Sequence, residues 1–233
     1  MFSLVFPCHS SNLDTIIFVI ECFLKQKEYI NQIIIIFNAI KKDISEIINK
    51  IKLLCNDIIF EYKIHKSRIN PGIARNASYD LIKSDYVIFH DADDEPHPNK
   101  LMIIKYIFNK LNCDEVHHLF QPITLPFISY DINNIKFKEV DNKEILNFIK
   151  KGSICLNNYV NMPVSHGLIS IKKDKLLNIQ WNSLRSGEDR DFITKSVNNN
   201  NKIVVVEAFL SKYDKLSRKS LMKYYPQYYT LFT

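Results

Sequence analysis

Asp85-Tyr86-Val87-Ile88-Phe89-His90-Asp91-Ala92-Asp93-Asp94-Glu95-Pro96-His97-Pro98 is an apolar run that leads directly into a knot of carboxylates closed by two prolines. Tyr86 to Phe89 are β-forming residues in unbroken sequence, which suits a strand buried on both faces of a sheet. The acids that follow, Asp91, Asp93, Asp94 and Glu95, cannot be buried without a cation, so they belong at the strand's end. Asp91 and Asp93 are two apart and project the same way from an extended chain. Side by side, two carboxylates resist joint ionisation unless something positive lies between them. A divalent ion resolves that repulsion. Mg²⁺ or Mn²⁺ takes carboxylate oxygens, and Mg²⁺ is commonly held by one or two protein carboxylates with substrate phosphates completing its shell. The competing reading is a solvated acidic loop before a helix that starts near Pro98, with Asp94 and Glu95 favouring the helix dipole. Asp-x-Asp alone does not separate the two, and the surrounding chain has to.

The chain of 233 residues, 46% hydrophobic, is long enough to bury one substantial core. With only 4 glycines it has no material for a Gly-rich phosphate loop, and neither GxGxxG nor GxxxxGK[ST] occurs. The formal charge of +6 is spread through Lys-rich segments; it suits an anionic substrate or membrane surface and does not require nucleic acid as a partner. Cys8, Cys22, Cys55, Cys113 and Cys155 are scattered and never in CxxC spacing, so neither a disulfide framework nor a zinc site is indicated. Met1 to Pro7 is too short for a signal peptide, and the apolar runs Thr15 to Leu24 and Ile33 to Phe37 are too short for a transmembrane span. A cytoplasmic location is the simplest expectation.

In chain order, Phe2 to Phe6 reads as a strand ended by Pro7, and Leu13 to Lys27 as an amphipathic helix. Ile33 to Phe37 is a second strand, Lys42 to Cys55 a helix and Asp57 to Ile64 a third strand. Pro71-Gly72 opens a helix from Ile73 to Lys83 that delivers the chain to the strand before the acids. Repeated βα units of this size imply an open, mainly parallel sheet flanked by helices, with ligands at the carboxyl ends of the strands. Pro7, Asn38, His65 and Asp91 all fall at such ends. Beyond a helix from Pro98 to about Lys110, strands are expected at Val116 to Phe120 and Ile123 to Ser129. Helices follow at Asn142 to Lys150, Lys172 to Ile179 and Arg190 to Val197, with a last strand at Lys202 to Ala208. The tail to Thr233, rich in Tyr and Lys, has no assignable fold.

Four pieces in this order resemble a family 2-type glycosyltransferase of the GT-A fold. They are the strand into Phe6-Pro7-Cys8-His9, the segment Pro71-Gly72-Ile73-Ala74-Arg75-Asn76-Ala77, the strand into Asp91-Ala92-Asp93-Asp94 (a DXD motif), and Gly187-Glu188-Asp189-Arg190-Asp191-Phe192. The resemblance implies one domain over residues 1–210, with a nucleotide-sugar half (1–110), an acceptor-side half (111–210) carrying a smaller mixed sheet, and a C-terminal segment over 211–233. It implies a nucleotide-diphosphate sugar donor, with a UDP-sugar expected, a Mn²⁺ or Mg²⁺ ion, inversion at the anomeric carbon, and a glycan, protein or lipid-linked acceptor. By the same resemblance Pro7 and His9 line the base pocket, and Arg68 or Arg75 reaches the base or diphosphate. Asp91 approaches ribose and sugar, Asp93 ligates the metal, Asp189 is the general base supported by Glu188, and Arg218 belongs to a segment closing over the diphosphate. His166 is a further candidate for the metal shell.

One departure is Asn38, where the family carries an acid that contacts the base; an amide both donates and accepts, so recognition survives with a weaker preference for uracil. Gly187 permits a close approach at Asp189, and a following helix N-terminus favours its carboxylate, as a general base needs. Stability alone also selects a capped helix start with acids in its first turn. Two other functions share these elements. A nucleotidyltransferase would need a Gly-rich, basic loop after the first strand, which Pro7-Cys8-His9-Ser10-Ser11-Asn12 lacks. A non-catalytic sugar-nucleotide or glycan-binding module would have no need of Asp93 and Asp189.

Overall fold

A computed structural model describes residues 1–143, 164–184 and 187–213, with side chains of 164–167 excepted. The elements in order are β1 (Phe2–His9), α1 (Leu13–Leu24), β2 (Ile30–Asn38), α2 (Ser45–Cys55), β3 (Ile59–His65), α3 (Pro71–Asn76), β4 (Tyr86–Phe89), β5 (Glu95–Pro96), α4 (Lys100–Leu111), β6 (Glu115–Pro122), β7 (Phe137–Glu139), β8 (Val164–Lys172), α5 (Lys173–Leu176), α6 (Glu188–Asn198) and β9 (Ile203–Tyr213).

The strands form one sheet in the order β3-β2-β1-β4-β8-β6-β9-β5, with β7 also on β9. The first four are parallel, as the βα spacing predicts. β8 then runs antiparallel to both β4 and β6, while β6 and β9 are parallel. The sheet is therefore mixed and continuous. The expected smaller acceptor-side sheet joins the parallel half through β8, because β4's outer edge would otherwise leave a row of backbone groups unpaired. β9 also carries the fold past residue 210, to Tyr213.

Period-two alternation explains why the central strands read as unbroken apolar runs. Phe6, Ile33, Ile35 and Phe37 face a core under α1, α2 and α4, whereas Val5, Ile34, Ile36 and Phe89 face a second core with Trp181 and Phe192. Each such side chain, removed fully from water, contributes about 2 kcal/mol before entropy is counted.

Three departures from the expected elements have a clear local cause. β1 does not end at Pro7 but continues to His9, pairing Pro7 with Ile36. Pro7 has the parity of Val5, whose carbonyl accepts from His90 on the β4 side, so its missing N–H faces the side where β4 has already ended. α3 stops at Asn76 rather than Lys83, since the Asn76 amide leaves the helix to bond the Trp181 backbone both ways, donating to its carbonyl at 2.8 Å and accepting from its N–H at 2.9 Å. Ile123 to Ser129 is a turn and irregular chain, not a strand; the Gln121 amide donates to the carbonyls of Leu125 (3.3 Å) and Pro126 (2.9 Å), closing a loop after Pro122. The expected helix from Asn142 lies mostly outside the described residues.

Candidate active site

The carboxyl ends of β1 and β2, the chain after β3 and the acidic loop after β4 surround a cleft of about 470 Å³ lined by His9, Asn38, Arg68, Asn70, Asp93 and Ser183 among others. His9 Nδ1 accepts from the Ser11 N–H at 3.2 Å, which leaves the neutral ring's proton on Nε2. Asn38 is buried, and its amide is already engaged: it donates to the Ile69 carbonyl at 2.5 Å and accepts from the Ile69 N–H at 2.9 Å. It therefore holds the loop that carries Arg68, and the exposed Arg68 is the cation offered to the cleft.

α3 connects this cleft to a second cluster. Asn70 caps the helix by accepting from the Ile73 N–H at 2.9 Å, and Pro71 occupies the first turn. Arg75, one turn on, is only 2% exposed. Its Nη2 donates to Asp91 Oδ1 at 2.9 Å, and Nη1 lies 3.7 Å from Glu188 Oε1. Its guanidinium carbon is 4.5 Å from the centroid of Trp181, the only tryptophan, whose other face stacks on Phe192 at 4.1 Å. Gly72 makes this closeness possible, because a Cβ there would sit 2.6 Å from the Asn182 carbonyl oxygen. Unlike Arg68, the other candidate for the base or diphosphate, Arg75 does not line the cleft. It positions Asp91 from behind.

Glu188 and Asp189 open α6 after Gly187, whose φ of +81° turns the chain into the helix. Both acids lie in the first turn of the helix. Asp189 is buried. α6 is held to the sheet by a wholly buried polar set: Ser196 Oγ donates to Glu115 Oε2, Glu115 Oε1 lies 2.5 Å from His117 Nε2, and Asn201 donates to Ser196 Oγ at 2.9 Å.

Beneath the acidic loop, Asp94 is buried with Oδ2 unpartnered among the described residues. Burial, and then Asp91 and Asp93, push its carboxyl well above the usual range. The ammonium of Lys100, itself 0% exposed, lies 3.0 Å from His90 Nδ1 and donates to Ser211 Oγ at 3.1 Å. Burial pulls it down to about 7, with Asp94 and Asp91 opposing.

Asp91 and Asp93 offer hard oxygen donors, and no cluster of three potential ligands occurs among the described residues. Such a pair fits Mg²⁺ or Mn²⁺ whose shell substrate phosphates complete, and does not fit a closed zinc site. His166 lies in β8 with its side chain outside the described set, and Arg218 lies outside the described residues altogether. Pro7 does not line the cleft; it sits in the ladder two residues before His9. Sequence reasoning did not single out Trp181, Lys100 or Glu115. A lone tryptophan was the available signal for the first, and a lysine and an acid inside helical and strand patterns gave none for the others.

The sequence model described as Glycosyl transferase family 2 matches residues 3–144. Among curated proteins, the amylovoran biosynthesis glycosyltransferase AmsB of Erwinia amylovora is 31% identical over 103 residues, a match that takes in 43% of this chain and 33% of AmsB. Among solved structures, S. aureus TarS 1–349 in complex with UDP-GlcNAc has a TM-score of 0.69 at 17% identity, with 93% of this chain and 59% of that chain covered. The mannosyltransferase PcManGT of Pyrobaculum calidifontis, in complex with GDP-Man and Mn²⁺, has a TM-score of 0.63 at 11% identity, covering 94% and 59%. This chain spans about a third of AmsB and under two thirds of either solved chain, and the structural likenesses concern the fold, which is that of GT-A glycosyltransferases.

Proposed function

The chain belongs to glycosyl transferase family 2, and from that premise we propose that it transfers a single sugar from a nucleotide-diphosphate sugar to an acceptor hydroxyl, with inversion. The observation that carries this reading is the convergence of His9, Asn38, Arg68 and Asp93, from four separate stretches of chain, on one cleft. That the TarS and PcManGT structures contain UDP-GlcNAc and GDP-Man supports a nucleotide sugar as donor. A UDP-sugar remains the expected donor, and a glycan, protein or lipid-linked molecule the acceptor class.

In this reading His9 stacks on the base, the Asn38-held loop brings Arg68 to the diphosphate, and Asp93 with Asp91 holds Mn²⁺ or Mg²⁺. A bound divalent ion supplies charge neutralisation at the departing diphosphate. Asp189 accepts the proton of the acceptor hydroxyl as that oxygen attacks the anomeric carbon. The bond from that carbon to the diphosphate breaks with its electron pair leaving on the nucleoside diphosphate. Asp189 lies buried in the first turn of α6. Glu188 shares the Arg75 guanidinium with Asp91 and so ties the base-bearing turn to the donor-side acids.

The test is a screen of UDP- and GDP-sugars for Mn²⁺-dependent release of nucleoside diphosphate, with Asp93→Ala and Asp189→Asn in parallel. Turnover of one donor, with Asp189→Asn still binding it but losing most turnover, upholds the assignment. Donor binding without cleavage under any acceptor points instead to a binding module, and pyrophosphate released from a nucleoside triphosphate points to nucleotidyl transfer.

A further inference from the structure

Beside the cleft, on the flank of β3 and α2, lie two open grooves of about 800 and 540 Å³. Lys41, Lys42 and Lys66 line both, and Arg68 closes the larger where it meets the cleft. All four are exposed, and none makes an ion pair among the described residues, whereas Lys63 and Lys83 on the same edge are each paired with an acid. The single acid lining either groove, Asp43, already accepts from the Ser45 backbone N–H at 2.9 Å and from its hydroxyl at 2.6 Å. Cations crowded in a concavity, against one carboxylate in the smaller groove and none lining the larger, repel one another, which is a cost an anionic ligand removes.

The apolar neighbours narrow the ligand. Tyr62 and Ile64 line the smaller groove and are 37% and 45% exposed, and Lys52 lies 6.0 Å from the Tyr62 ring centroid. β3 is the outermost strand of the sheet, so no further strand covers them. A soluble polyanion without aromatic groups, such as polyphosphate, gains nothing from exposed aliphatic and aromatic side chains, whereas a bilayer interface takes up both charge and apolar tips. No helix among the described residues is long and apolar enough to cross a membrane.

We propose that this edge is a docking surface for an anionic membrane, with Lys41, Lys42 and Lys66 on headgroup phosphates and Tyr62 and Ile64 at the level of the interface. The inference does not depend on the proposed reaction. It is tested by co-sedimentation of the full chain with phosphatidylcholine vesicles, with and without phosphatidylglycerol. Binding is expected only with the anionic lipid and is expected to weaken as salt rises. At about fivefold per cation, Lys41→Gln, Lys42→Gln and Lys66→Gln together should lower partitioning about a hundredfold, and Ile64→Gln should lower it several-fold, with melting temperatures unchanged. Equal binding to both vesicle types overturns the proposal. So does wild-type binding by the triple variant, which would put the contact elsewhere on the chain, or binding of inorganic polyphosphate with none to vesicles.

Discussion

Arg75 Nη2 stands 2.9 Å from Asp91 Oδ1 while the same guanidinium lies over the Trp181 ring, so one buried cation fixes a carboxylate at the end of β4 and is itself held flat by an indole. Removing it leaves Asp91 and Glu188 facing each other without a counter-charge. Arg75→Ala is expected to cost about 3 kcal/mol, at the low end for a broken buried pair because Asp91 is 29% exposed. Arg75→Lys keeps the charge but loses the planar fork and the stack, so it should recover part of the stability and little of the turnover. Urea unfolding alongside steady-state kinetics checks both, and a Lys variant with wild-type turnover would remove the positioning role.

Gly72 and Gly187 are demanding for different reasons, and their alanine variants should separate. At Gly72 the new Cβ meets the Asn182 carbonyl at 2.6 Å, so the loop carrying Trp181 must move, at a cost of about 2 kcal/mol or more. At Gly187 nothing lies within 4 Å, and only the φ of +81° is unfavourable, at a cost of about 1 kcal/mol. Thermal melts should rank Gly72→Ala as the more damaging, and the reverse order would mean that the α3 contact is slack.

Lys100 makes stability depend on alkaline pH. Its folded-state value of about 7 lies below the ordinary 10.5, so the unfolded chain holds the proton more tightly. The resulting penalty, of order a few kcal/mol, is complete below pH 7 and fades as pH rises toward 10.5. Lys100→Met should therefore be stabilised relative to wild type most at neutral and lower pH, with the difference shrinking in alkali. Denaturation midpoints of the two proteins across that range give the measurement; a pH-independent difference would contradict the buried charge.

Glu115 serves Ser196 and His117 at once from a fully buried position. Glu115→Ala strands both partners and should cost about 3 kcal/mol, whereas Glu115→Gln should cost clearly less. Amide exchange in α6 should quicken in the Ala variant ahead of exchange in β1 and β2. Uniform quickening would mean that the set supports the whole fold, with no special tie to this helix.

The parallel half was legible because its signals are local: unbroken Ile and Phe runs, helical spacing, and an acid knot at a strand's end, even though Asp94 of that knot is buried, against expectation. Asn38, which reads as a strand-end residue, does line the cleft, together with Asp93 of the acid knot and with His9 and Arg68, to which the family resemblance points. The long-range pairings were not legible. Nothing near Asn76 announces that its amide would leave α3 for Trp181, and nothing in Val164 to Lys172 says that it will run between β4 and β6. Arg75 shows in the sequence only as a charge in a helix, because the indole and carboxylates that enclose it come from distant stretches of chain.

The placement of β8 has a bearing on biosynthesis. β4 ends at Phe89, yet the strand that covers its outer edge begins only at Val164, after α4, β6 and β7 have been made. A ribosome-bound chain that has completed its parallel half therefore presents Tyr86 to Phe89 as an open, apolar edge until β8 emerges. Truncations ending in that interval should be sticky rather than merely incomplete, and the nascent protein is a natural client for holdase chaperones during that wait.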